Sequence, residues 1–227
     1  MANVVVTGAG RGIGRALVEC YAAAGDQVYA WCRNPDSVTQ FADLAGKVGK
    51  VTAVQVDVAD GASVERASAA LKGAPVDVLI NAAGILHIEK GPDDRDFDGW
   101  RKSFEVMAIG PFRVMQSLLP NLERAKGKVV SLSSQVGAST WSTGGAYSYG
   151  AAKAALNRAM KSVAVDLKDR NIAVAVVHPG SVKTDMGGPD AEITANESAR
   201  GIREVASRLT LDTSGGFFEW NGEPHPW

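Results

Sequence analysis

Along the chain, short runs of apolar and β-branched residues alternate with longer stretches whose apolar positions recur every three or four residues. Val4–Thr7, Gln27–Cys32, Val51–Val56, Val76–Ile80, Lys128–Leu132 and Ile172–Val177 read as strands. Most are apolar almost throughout rather than at alternate positions, the pattern of strands covered on both faces. Between and after them, Gly12–Ala24, Ser37–Ala45, Ala62–Leu71, Phe97–Glu123, Tyr147–Asp169 and Asn196–Leu209 carry helical periodicity, with Pro111 predicting a kink inside the fourth. A last run, Gly216–Glu219, fits one edge strand. Repeated strand–helix units predict an α/β fold: a doubly wound parallel sheet of six to seven strands with helices on both faces, spanning 1–227 as a single domain. In such sheets ligands bind beyond the carboxyl ends of the strands, where strand order reverses. Chemistry is therefore expected in the segments that follow each strand.

Composition narrows the classes of partner. The 227 residues carry 24 Lys plus Arg against 25 Asp plus Glu, a net charge of −1, and 45% are hydrophobic. That excludes a disordered chain and leaves no basic stripe for a nucleic acid. No apolar run approaches the length of a membrane span. Cys20 and Cys32 have no metal-ligand spacing, and His87, His178 and His225 are scattered, so neither a disulfide framework nor a metal site is expected. Two unpaired thiols and a start at Met1-Ala2-Asn3 without a leader pattern point to the cytoplasm.

After the first strand comes Thr7-Gly8-Ala9-Gly10-Arg11-Gly12-Ile13-Gly14, opening the first helix. Glycines there let the backbone approach a pyrophosphate, and the helix N-terminus presents free N–H groups and a partial positive charge. Strand, glycine turn and helix in this order form the dinucleotide-binding unit of a Rossmann-like sheet. A chain preferring NAD places Asp or Glu about 20 residues further on, accepting from the ribose 2′-OH. Cys32 stands at that distance from Gly12, followed by Arg33. A guanidinium pairs with a 2′-phosphate that a carboxylate would repel, so NADP is expected over NAD, with Arg11 a second cation. Asp57, before Val58, either accepts from the adenine amino group or simply closes the strand. Asn81-Ala82-Ala83-Gly84 offers small side chains beside a cofactor.

The fifth strand leads into Ser134, and Tyr149-Gly150-Ala151-Ala152-Lys153 puts a phenol and an ammonium four residues apart on one helix face. Tyr147 has Ala151 at the equivalent distance. Bringing a phenol from its reference pKa of about 10 to act as a base at neutral pH takes about 4 kcal/mol. A unit charge about 4 Å away, at an effective dielectric of about 20, supplies that order of energy. The protonated phenol is equally ready to donate to a carbonyl oxygen, with Ser134 hydrogen-bonding the same oxygen.

Thr7-Gly8-x-x-x-Gly12-x-Gly14, Asp57-Val58, Asn81-Ala82-Ala83-Gly84, Ser134, Tyr149-x-x-x-Lys153 and His178-Pro179-Gly180 with Thr184 together resemble the short-chain dehydrogenase/reductase family over essentially the whole chain. The resemblance implies Tyr149 as catalytic acid/base, Lys153 on the nicotinamide ribose and tuning the phenol, and Ser134 orienting a carbonyl. It implies Asn81 and Thr184 on the cofactor, with Gly8, Ile13, Gly14, Ala82, Gly84, Pro179, Gly180 and Val182 around it. The segment Val182–Gly188 and the tail ending Pro226-Trp227 resemble the small C-factor/Sniffer-like carbonyl reductases. NADPH-dependent reduction of a ketone or aldehyde, with pro-S hydride transfer, is what this implies, in a homodimer formed through the Phe97–Glu123 and Tyr147–Asp169 helices. Gln135, Trp141 and Met186 are the expected substrate contacts, with Ile85, Leu86 and His87 nearby. One position departs from the family. Met107 stands where the family carries an Asn that bends the helix and holds a water linked to Lys153, and a thioether cannot donate a hydrogen bond. With the C-factor likeness, Met107 motivates an alternative: an NADP(H)-binding signalling or sensor protein with vestigial catalysis.

Overall fold

Val4, Val5 and Val6 run without exposed surface down the middle of a seven-stranded sheet. The structure, a computed structural model, describes residues 1–38 and 50–227. The strands are β1 (Asn3–Thr7), β2 (Gln27–Cys32), β3 (Lys50–Gln55), β4 (Val78–Asn81), β5 (Lys128–Leu132), β6 (Ala173–His178) and, after the short pair β7 (Val182–Lys183) and β8 (Ile193–Thr194), β9 (Gly216–Glu219). Their order is β3-β2-β1-β4-β5-β6-β9, and every pairing is parallel. Side chains alternate across a strand. Val4 and Val6 accordingly join a core with Leu17 and Ile202 on one face, while Val5 joins Val114, Leu156 and Met160 on the other.

The first face is covered by α1 (Gly12–Ala23) and α7 (Ala195–Arg208), the second by α2 (Gly61–Ala70), α3 (Phe97–Phe104), α4 (Gly110–Ser117), α5 (Leu119–Ala125) and α6 (Tyr147–Asp166). Local chemistry sets several of their starts. Asp60 caps α2 by accepting from the Ala62 amide, and Thr194 and Glu197 form a reciprocal capping box on α7. The helix expected over Ser37–Ala45 lies, beyond Val38, outside the described residues. No helix among the described residues is long and apolar enough to cross a membrane.

The helix expected to run from Phe97 to Glu123 with a kink at Pro111 is instead three α-segments joined through a π-turn, Glu105–Ile109. Pro111 lies in the first turn of α4 and Pro120 in the first turn of α5, so each proline opens a segment instead of interrupting one. The expected edge strand is β9. The chain beyond it folds back, with the His225 amide donating to the Phe217 carbonyl and a bridge between Phe218 and Pro224. That covers an edge otherwise open to another chain.

β1 pairs with β2 on one side and β4 on the other, so strand order reverses there. Thr7 stands in register with Asn81, which brings the segments after both strands side by side.

Candidate active site

At the reversal, the Thr7 hydroxyl oxygen accepts from the Ala82 and Ala83 amides at 3.1 and 3.2 Å, locking the glycine turn against the loop after β4. Two glycines are obligatory in this contact. A Cβ on Gly8, whose φ is +67°, would lie 2.7 Å from the Ala83 Cα, and a Cβ on Gly14 would lie 2.2 Å from the Gly8 carbonyl oxygen. No side chain caps α1 and no acid occupies its first turn, so its leading N–H groups face the cleft uncompensated. This bare, positively polarised cradle fits the pyrophosphate of a dinucleotide.

A cleft of about 450 Å³ extends from the cradle. Arg11, Arg33 and Asp57 line one end, Tyr149 and Lys153 the other, and Gly8, Gly12, Ile13, Gly14, Val58, Ala82, Gly84, Pro179, Thr184 and Met186 also border it. The structure thus gathers into one cleft residues from seven separate sequence segments. Other expected members stand elsewhere. Asn81 is buried between strands, its amide donating to the Ser131 hydroxyl at 3.1 Å, and its Oδ1 has no partner among the described residues. Gly180 packs against Ile193 and Trp220, and Val182 is buried in β7. Gln135 and Trp141 do not line the cleft, and Trp141 is exposed. Leu86 is also exposed, whereas the His87 ring lies over Gly99.

Met107, the departure from the family noted in the sequence, lines the cleft, and so do Asn34, Ser37 and Ser133, which were not singled out for it. For two of them a signal existed: Arg33-Asn34-Pro35-Asp36-Ser37 is a polar turn directly after β2. The Ser37 hydroxyl donates to the Asn34 carbonyl at 2.6 Å, and a Cβ on Gly10 would meet Ser37 Oγ at the same distance. The turn therefore closes the cleft against the glycine loop.

At the other end, Ser134 follows β5 and Tyr149 lies in the first turn of α6. The Ser134 side chain acts on the Tyr149 phenol as a hydrogen-bonding influence that lowers its pKa, while Ser134 Oγ accepts from the Val136 amide at 3.2 Å. Burial pushes the Tyr149 phenol up from its ordinary value, and the Ser134 hydroxyl only partly opposes it. The phenol is therefore protonated at neutral pH. Lys153, buried one turn further along α6, donates to the Leu132 carbonyl at 2.7 Å, with its Nζ 5.8 Å from the Tyr149 ring centre. Desolvation lowers its pKa to about 8, leaving it mostly cationic at neutral pH. A neighbouring proton donor and ammonium can neutralise charge developing on a carbonyl oxygen.

Met107 sits inside the π-turn, fully buried, and also borders the cleft. Here the bend is made by other groups. The Gly110 amide reaches back five residues to the Glu105 carbonyl. Pro111 has no N–H to give the Met107 carbonyl four residues before it, which frees that oxygen for another donor. Arg113 spans the turn, pairing with the Glu105 carboxylate at 2.6 Å and donating to the Val58 carbonyl at 2.7 Å. A Cβ on Gly110 would lie 3.1 Å from both the Glu105 oxygen and Val58 Cγ2, so the bend also presses on the strand end that carries Asp57.

Known proteins share this fold. Residues 2–194 match the sequence model of the short chain dehydrogenase family. The C-signal protein of Myxococcus xanthus is 41% identical over 155 residues, 67% of this chain and 93% of that one. The structure of an NADPH-bound carbonyl reductase from chicken fatty liver superposes with a TM-score of 0.91 at 32% identity, covering 100% of this chain and 99% of the other. The carbonyl reductase Sniffer of D. melanogaster superposes with a TM-score of 0.91 at 28% identity over 100% of both chains.

Proposed function

The chain belongs to the short chain dehydrogenase family, and on that premise we propose that it is an NADPH-dependent carbonyl reductase in which residues 1–227 act as one unit. The observation that carries the proposal is the pairing of Tyr149 with buried Lys153, one helical turn apart and both lining the cleft that also holds the glycine cradle. Bound NADPH supplies a hydride to the carbonyl carbon. Ser134 holds the carbonyl oxygen, and Tyr149 donates its phenolic proton to that oxygen as negative charge develops. Lys153, cationic and desolvated, stabilises the phenolate left behind.

Arg33, with Arg11, supplies the positive charge for a 2′-phosphate. Arg11 also reaches Asp185 across the cleft mouth at 3.4 Å, both side chains exposed. Asp57 and Val58 receive the adenine, and Thr184 the nicotinamide end. The substrate is a ketone or aldehyde, with Ile85 and Met186 lining the cleft that receives it, and the protein works in the cytoplasm with neither nucleic acid nor membrane as partner. Replacing Tyr149 with Phe is expected to leave NADPH binding intact and to lower turnover at least about a hundredfold, the usual scale of acid/base assistance. NADPH oxidation measured across aldehydes, diketones, quinones and cyclic ketones tests this, and unchanged turnover in the variant would sink the assignment.

The likeness to a protein named C-signal, together with Met107, favours one second reading: an NADP(H)-binding signalling protein. It predicts NADPH binding with silence across the same panel.

A further inference from the structure

We propose that Glu89 is a positioning residue for Tyr149, a carboxylate from the loop after β4 that replaces the missing local cap of α6 and holds its first turn in place. It deepens the carbonyl reductase reading, on which it rests for its kinetic consequence. The helix that presents Tyr149 has a poor start of its own. Ala146, at its N-cap, is in the left-handed conformation with φ 48° and ψ 43°, offers no side-chain acceptor, and no acidic residue lies in the first turn. An α-helix leaves its leading amides without internal partners. Here the Ser148 amide donates to Glu89 Oε1 at 2.8 Å, and the Ser148 hydroxyl helps to hold the carboxylate ionised. Ser103 of α3 stands at 3.5 Å from that hydroxyl, and both serines are fully buried. Glu89 is buried as well.

The result is a polar chain inside the protein, Ser103 to Ser148 to Glu89, joining α3, α6 and the loop after β4. Burial raises the Glu89 carboxyl, but the hydrogen bonds from Ser148, helped by His87, outweigh it and keep the group ionised. An anion at a helix N-terminus is also favourably placed against the helix dipole. Glu89 is not a loose partner. Its loop is pinned just beyond it: the Asp94 carboxylate accepts from the Lys90 and Asp96 amides, and Asp96 caps α3 through the Asp98 and Gly99 amides. At its other end the same loop contributes Gly84 and Ile85 to the cleft. Ser148 immediately precedes Tyr149, so the bond that fixes Ser148 also sets where the phenol stands relative to Ser134. Misplacement of a reacting group by about 1 Å can lower a rate by about a hundredfold.

The test uses the full chain and three variants. In Glu89→Ala, kcat is expected to fall at least about tenfold, with the NADPH dissociation constant from fluorescence titration unchanged within about twofold. Glu89→Gln keeps an acceptor for Ser148 and is expected to hold kcat within about threefold of the parent. Glu89→Asp keeps the charge but loses reach, and it serves if the alanine variant does not fold; its kcat is expected to fall while NADPH binding holds. Unaltered kcat in Glu89→Ala or Glu89→Asp, or a glutamine variant as impaired as alanine, overturns the proposal. Hydrogen exchange separates it from the reductase reading, because it needs no turnover. Faster exchange in Glu89→Asp, confined to the first turn of α6, is expected even if the parent reduces no carbonyl; exchange identical to the parent overturns the positioning role.

Discussion

Arg33 and Tyr149 illustrate two ways a single residue is read. Arg33 follows a strand and stands where an NAD-preferring chain keeps a carboxylate, so its meaning comes from position along the chain. Its placement at the cleft end, beside Asn34 and Ser37, is consistent with a 2′-phosphate contact. Replacing Arg33 with Asp is therefore expected to shift the ratio of kcat/KM for NADPH over NADH toward NADH by at least about tenfold, since one charge-assisted pair is worth about 1.5–3 kcal/mol. Steady-state kinetics with both cofactors checks this, and an unmoved ratio would assign the preference elsewhere. For Tyr149 the spacing to Lys153 was legible, but its protonation state was not. Spacing argues for a lowered phenol, while burial in the folded protein raises it. Asn81 shows the same division. Its motif is plain in the sequence, yet its amide is spent on Ser131 of the adjacent strand rather than lining the cleft.

At the scale of elements, the segment from Phe97 to Ala125 departs furthest from its pattern. Apolar periodicity across it is continuous enough to read as one helix, because periodicity does not register a single added residue in a turn. The π-turn depends on Gly110 packing against Val58, and on Arg113 reaching both Glu105 and the Val58 carbonyl. These are contacts between α4, the turn and the end of the third strand segment. Since the main chain already makes the bend, restoring the family's residue should matter little. Met107→Asn is expected to change kcat by less than about threefold, under about 0.7 kcal/mol in the barrier. A large gain in turnover would mean that Met107 impairs proton delivery, which is what the signalling alternative requires. The neighbouring helix α6 repeats the lesson, since its start is capped by a carboxylate from a distant loop that no local capping pattern reveals.

For the whole molecule, two expectations concern stability and assembly. His178 ends β6, buried, with the His225 ring 5.6 Å away across the folded-back tail. Burial first, then His225, lowers its pKa from 6.5 to about 4. Between these values the unfolded chain binds a proton that the folded protein does not. Its contribution to stability is therefore complete above about 6.5, declines as pH falls, and levels off below about 4. The whole effect amounts to up to about 3 kcal/mol. Urea midpoints at pH 7.5 and 5 are expected to differ more for the parent than for His178→Gln; equal differences would remove His178 as the cause. Assembly follows from the two helical segments the family resemblance implicates. Ile109, Phe112 and Val165 are exposed on the π-turn, α4 and α6, apolar surface that a second copy would cover. Light scattering is expected to give twice the chain mass, and a monomeric mass would refute the homodimer.

The sequence by itself determined the strands and most helices, the glycine cradle, the Tyr–Lys pair and the likeness to the family. All of these are carried by short-range periodicity or by fixed spacings along the chain. Only the tertiary structure decided the π-turn around Met107, the burial that keeps Tyr149 protonated and lowers Lys153, the diversion of Asn81 into the sheet and the carboxylate on the first turn of α6. Each of these depends on which distant residues meet and on how much water is excluded where they do. Local periodicity carries neither quantity, because burial and long-range hydrogen bonding exist only once the sheet and its covering helices have closed.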